Sequence, residues 1–184
     1  MLWIILAVAV VLVGFVVIGF NKLRRTDVGA QEALGGIDVQ LTRRADLMPN
    51  LVNTVKGYAE HEKGVFEAVT EARSGAAAAA KSGSVDQKVA AQAKMDKAII
   101  DVLAVAEAYP DLKASANFQS LQTDLADTEN KISFARQYYN DAVAKLNGLV
   151  RTIPWMFLSG IAGVKAREFY AAPEGQATPP TVSF

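Results

Sequence analysis

Cysteine is absent from this chain and histidine occurs once, which closes several routes to chemistry at the outset. Without cysteine there is no disulfide framework, no thiolate nucleophile and no lipidated cysteine anchor. The single histidine, His61, is followed by Glu62. A metalloprotease helix of the His-Glu-x-x-His type would need its second histidine at position 65, which is a valine. A di-iron bundle needs paired Glu-x-x-His motifs, and one histidine cannot supply two. No glycine-rich phosphate loop is present, and a serine nucleophile would have no base but His61. His61 therefore reads as a solvated helix-surface residue, and the inventory argues for no enzyme, no metal and no cofactor. An excess of charge of one sign is also missing. The 19 basic and 19 acidic residues are interspersed, so nothing marks a nucleic-acid footprint. Period-two alternation is lacking between Leu34 and Thr152, so no sheet is expected.

What the chain does have is a long apolar run. Leu2 to Phe20 contains no charge, and the first charged residue is Lys22. Nineteen residues at the helical rise span about 28 Å, close to the hydrocarbon thickness of a bilayer. A signal peptide would need a basic segment ahead of a shorter apolar stretch and a small-x-small cleavage site, whereas here Asn-Lys-Leu-Arg-Arg follows the run. A retained single-pass anchor is expected over residues 1–21, with a juxtamembrane connector over 22–36. Lys22, Arg24 and Arg25 follow the span directly, so positive-inside bias places the N-terminus outside and the remainder in the cytoplasm.

Beyond the connector, helical periodicity dominates. Leu34, Ile37, Leu41, Arg44, Met48, Leu51, Val55, Tyr58, Glu62, Val65 and Val69 alternate spacings of three and four, the seam of a heptad pattern. Pro49 lies inside the seam without a change of phase, which predicts one helix from near Leu34 to near Arg73, kinked at Pro49. Gly35-Gly36 is a second weak point. Glycines, serines and five consecutive alanines between Ser74 and Ser84 mark a soft break. A second helix follows from about Val85 to Ala108, striped by Met95, Ile99, Val102 and Ala106, and Tyr109-Pro110-Asp111 stops it. A third, capped by Ser115 or Asn117, carries the seam Phe118, Leu121, Leu125, Thr128, Ile132, Ala135, Tyr139, Ala142, Leu146 and Leu149, and closes at Pro154. The expected fold is all-α: an N-terminal transmembrane helix followed by an elongated antiparallel helical bundle over 37–171, with three long helices and a short C-terminal helical segment. Residues 172–184 have the composition of an extended tail.

Two features bear on function. Arg44 and Glu62 sit at seam positions where burial is expected and where an unpaired charge would cost several kcal/mol. Their partners are sought on the third helix among Glu129, Asn130 and Arg136, most directly Glu129 for Arg44. Such a polar core either fixes helix register or forms a ligand or ion site. The second feature is the segment Trp155 to Tyr170, rich in aromatic and aliphatic residues. With three helices climbing, returning and climbing again, its start should lie far from the membrane, and packing on the bundle is expected. Its residues Trp155, Phe157, Phe169 and Tyr170 are candidates for contacts between copies.

The run Ile37 to Val52, with Arg43-Arg44-Ala45-Asp46-Leu47-Met48-Pro49-Asn50-Leu51-Val52, resembles the LemA family's Arg-Arg-x-Asp-Leu-hydrophobic-Pro-Asn-Leu-Val block. Gly57-Tyr58-Ala59 with His61-Glu62, Glu71-Ala72-Arg73, Glu107 to Lys113, and Thr128 to Ile132 with Ala135-Arg136 and Tyr139-Asn140 resemble further blocks in the same order. Leu146, Ile153 and Val164 depart from the pattern, each standing where the family usually has an aromatic residue. The resemblance implies a bacterial inner-membrane protein with an anchored helical bundle and no assigned activity; some members are associated with shaping membrane compartments. Together these readings point to a membrane-anchored scaffold or adaptor that contacts the lipid bilayer and works as a homo-oligomer. The alternative is a ligand- or ion-sensing regulator of a partner membrane protein such as a protease.

Overall fold

The computed structural model describes residues 1–59, 61–82 and 84–171. The expected tail at 172–184 lies outside the described residues. As the sequence predicts, the fold is all-α, with no strand among the described residues. Its elements are α1 (Leu2–Lys56), α2 (Lys63–Ser82), α3 (Val85–Glu107), α4 (Pro110–Lys113), α5 (Ala116–Arg151) and α6 (Met156–Ala162).

The apolar run and the first seam share one helix. α1 passes through Gly35-Gly36 and through Pro49 without interruption, so neither predicted weak point breaks it. It does not reach Arg73. The expected single kinked helix ends at Lys56, with turns at 57–58 and at His61 before α2 begins at Lys63. Gly57 follows the last turn, where the Tyr58 and Ala59 amides both donate to the Val55 carbonyl, at 3.0 and 2.9 Å. Buried Ala59 pins the turn against the interior. The seam holds through Val55 and then runs on by coincidence: Tyr58 is 46% exposed, and Glu62 lies in the turn. α2 buries its own stripe of Phe66, Val69, Ala72 and Ala79, and the alanine run extends this helix to Ser82. Alanine is the best helix former, so the soft break contracts to the junction before Val85. Pro110 takes the first position of α4, where its missing N–H costs nothing.

The missed turn changes the parity of the fold. Three reversals, rather than two, separate the apolar run from the end of α5, and the last long helix ends beside α1. The chain divides into two compact units: Met1–Gly35 with Ala135–Phe169, and Gly36–Phe134 with the described residues from Tyr170 on. In the first, Leu23 and Ala30 of α1 pack with Leu146 of α5, Leu158 and Ala162 of α6, and Val164. In the second, Met48, Leu51 and Val55 of α1 pack with Phe66 and Val69 of α2, Met95, Ile99 and Val102 of α3, and Phe118 and Leu125 of α5.

Candidate functional site: a charged core and a helix beside the anchor

In the unit built from Gly36–Phe134, three helices converge on one guanidinium. Arg44 occupies a core-facing turn of α1 and is 7% exposed. Its Nη1 lies 2.5 Å from Asp96 Oδ1 on α3 and 3.0 Å from Glu129 Oε2 on α5. The structure thus brings Arg44 and Glu129 together and adds Asp96, which the sequence reading did not name. Glu62 is not part of this cluster, because the helix that would have carried it inward has already ended. Asn130 is exposed, one position off the buried face of α5. Arg136 is buried, in the other unit. Thr128, the one plainly polar residue of the α5 seam, is buried with its hydroxyl donated to the Asp124 carbonyl of its own helix at 2.7 Å. On the surface nearby, Asp127 accepts from Lys131 at 2.7 Å, and that hydrogen bond holds its carboxyl below the usual value.

A second buried cation, Lys88, donates to the Asp38 carboxylate. One helical turn along α3, buried Gln92 accepts from the Tyr170 hydroxyl at 3.0 Å. Both residues were legible in principle. The stripe through Met95, Ile99, Val102 and Ala106, run backwards at the same spacing, lands on Gln92, Lys88 and Val85, and all are buried. Beside these residues α1, α2 and α3 leave a cavity of about 540 Å³, walled largely by apolar side chains such as Val52, Val69, Ala76 and Met95. Arg44, Lys88 and Gln92 contribute its polar edge, and Gln92 Nε2 has no hydrogen-bond partner among the described residues.

In the other unit, the C-terminal segment is strapped down by backbone-directed polar groups. Asn147 Nδ2 donates to the Arg167 carbonyl at 2.9 Å, and the Arg167 amide returns a bond to Asn147 Oδ1 at 2.9 Å. The Tyr139 hydroxyl donates to the Glu168 carbonyl at 2.9 Å. Burial pushes the pKa of that phenol up. Arg167 Nε reaches Asp27 of α1 at 2.8 Å. Ahead of the strap, α6 ends on Gly163 at φ 65°, the left-handed position that favours glycine, with the Val164 amide donating to Ser159 at 2.9 Å.

The expectation that the segment after Thr152 lies far from the anchor is overturned. The Trp155 ring stacks on Phe15 with centroids 5.5 Å apart, and Lys22 Nζ sits 4.8 Å over the same ring. At Gly19 a Cβ would fall 2.7 Å from Trp155 Cζ3 and closer still to Leu158 Cδ1, so this glycine permits the approach. Of the four residues named for contacts between copies, Trp155 is engaged with α1 of its own chain and Tyr170 is buried in its own chain. Phe157 and Phe169 are exposed.

Residues 33–184 match the model of the LemA family. The chain belongs to the LemA family. The match covers the charged core, the cavity walls and α6, while the apolar run lies before it. Relatives include the magnetosome protein MamQ of Magnetospirillum gryphiswaldense, 23% identical over 77% of this chain and 60% of its own length. The magnetosome proteins MamQ 1 and MamQ 2 of Paramagnetospirillum magneticum are each 23% identical over 87% of this chain and 67% of theirs. The chain thus spans less than two thirds of the first of these relatives. With an apolar helical window almost wholly exposed, this LemA-family chain is a membrane-associated helical protein.

Proposed function

We propose that this protein is a membrane-anchored scaffold without catalytic activity of its own, acting through protein–protein contacts as a homo-oligomer that organises a region of membrane. The observation that carries the reading is how its polar and apolar groups are distributed. Buried Arg44, Lys88 and Asn147 are engaged in joining one part of the fold to another. Large apolar side chains meanwhile remain outside, with Ile100 and Phe134 63% and 72% exposed. An anchor that confines copies to two dimensions makes weak contacts between such surfaces effective. The apolar run has no Gly-x-x-x-Gly, so association is assigned to the helices beyond it. The names of the MamQ relatives support a role tied to an organelle. The basic cluster after the span supports a cytoplasmic domain.

Mass measurement of the full-length chain in nanodiscs should give a defined oligomer that shrinks when Ile100→Glu and Phe134→Glu are combined. A strictly monomeric protein at high loading would sink the homo-oligomer and shift the weight to an adaptor for another membrane protein. The second reading, a ligand sensor, is favoured by the cavity and by Gln92 Nε2 on its wall, which has no partner among the described residues. Native mass spectrometry that finds a co-purifying small molecule, lost in Gln92→Leu, would decide for it.

A further inference from the structure

We infer that α6 and the residues around it form a wedge lying in the cytoplasmic-side interfacial layer of the bilayer, beside the anchor helix. The inference rests on the membrane-anchored reading and goes beyond it, because it gives the protein a second, non-spanning contact with lipid.

Depth comes first. Trp155 stacks on Phe15, five residues inside the end of the apolar run at Phe20. At the helical rise this is about 7.5 Å below that end, and interfacial helices bury their apolar faces roughly 5–10 Å into the boundary layer. Leu158 packs at Gly19, one turn nearer the boundary, and Lys22 lies over Trp155 where a lysine can reach back to headgroup level. α6 is therefore held against a part of α1 that is itself in lipid.

Composition comes second. Residues 153–164 contain no charged side chain. Trp155, Leu158 and Ala162 recur at helical spacing and face inward, yet the opposite side is apolar too: Phe157 is 68% exposed, Ile161 70% and Ile153 72%. The one hydroxyl on α6, Ser159, donates to the Met156 carbonyl at 2.7 Å, so its proton is satisfied within the helix. A short helix that is apolar all round belongs in an apolar medium, and the medium already at this level is the lipid around α1. Charge comes third. Arg151 precedes the segment and Lys165 follows it, and Arg24 and Arg25 follow the run on α1, all four exposed cations of the kind suited to lipid phosphates.

The chain has two tryptophans and no cysteine, which makes the test clean. In full-length protein carrying Trp3→Phe, in bilayers of lipids brominated at defined depths, Trp155 emission should be blue-shifted. It should be quenched most by bromines placed shallowly on the acyl chains. In separate chains a nitroxide at Phe157→Cys or Ile161→Cys should collide more with oxygen than with an aqueous nickel chelate, and a nitroxide at Val10→Cys supplies the reference for the span. Label sites at Phe157 and Ile161 that favour the nickel chelate while Val10→Cys favours oxygen would overturn the wedge and leave the anchor standing. If Val10→Cys also favours the chelate, the anchored reading itself fails. Labels shielded from both reagents, with oligomer size falling on Phe157→Glu, would assign the surface to a second copy and overturn the wedge as well.

Discussion

Replacing Arg44 with methionine keeps most of the side-chain volume and removes the charge, which makes it the sharpest probe of the three-helix core. At 3.0 Å from Glu129, with an effective dielectric of about 20, the gross attraction is on the order of 5 kcal/mol, and the loss of hydration offsets part of it. Breaking one member of a fully buried pair costs about 3–5 kcal/mol. Asp96 and Glu129 keep 18% and 33% of their side chains exposed, so water relieves some of the carboxylate repulsion left behind. The expected loss is therefore about 3 kcal/mol, roughly a hundredfold in the opening equilibrium. Trp3 and Trp155 both lie in the other unit, so tryptophan fluorescence does not report on this core directly. Hydrogen exchange through α3 does, and its slowest amides should exchange about a hundredfold faster in Arg44→Met than in the parent. A cycle with Glu129→Leu should then show a coupling above about 1 kcal/mol. Effects additive to within about 0.5 kcal/mol would refute the pairing, as would exchange in Arg44→Met that matches the parent.

Tyr139→Phe should cost about 1 kcal/mol at neutral pH through the lost bond to Glu168. It should also flatten the alkaline limb of thermal stability. Because burial raises the phenol above its ordinary 10.0, the contribution is intact below that pH and lost as pH rises through the folded value, so the parent should fall more steeply there than the variant. Pro49→Ala restores an amide inside α1, where proline is about 3 kcal/mol worse than alanine in a helix interior. Since Pro49 also lines the cavity, the expected result in denaturant unfolding is unchanged or raised stability, and a loss of more than about 1 kcal/mol would show that the proline is needed for packing.

The long seams were readable because they are consequences of burial at helical spacing. All ten seam positions predicted for α5 are buried or half-buried, and those of α1 hold from Leu34 to Val55. The turn after Lys56 was not readable by the same means. Periodicity is blind to a reversal whose two flanking helices happen to keep phase, and Val65 and Val69 keep phase with Val55. The stronger local signal was Gly57, weaker as a helix former than Pro49 is conspicuous as a breaker. Pro49 stands inside an unbroken helix while Gly57 follows a helix end, and the reversal there brings the C-terminal segment back beside the apolar run.

The polar sites divide along a similar line. Arg44 was found because a charge interrupts an apolar seam, and Glu129 because it neighbours one. Lys88 and Gln92 were missed because the α3 stripe was started at Met95 and not carried back through them to Val85, although the interruptions of a register carry more information than its regular members. Asn147 and Arg167 left no periodic trace, since their bonds are made to backbone and depend on where an extended strap runs. Burying Asn147 is favourable only if both ends of its amide are satisfied, and the Arg167 peptide satisfies both. That pair holds the strap, the strap follows α6, and α6 meets α1 at Gly19, the one glycine of the apolar run where a Cβ would clash. A buried amide on α5 thus helps to keep an apolar helix against the apolar run of α1, a coupling that only the three-dimensional path of the chain reveals.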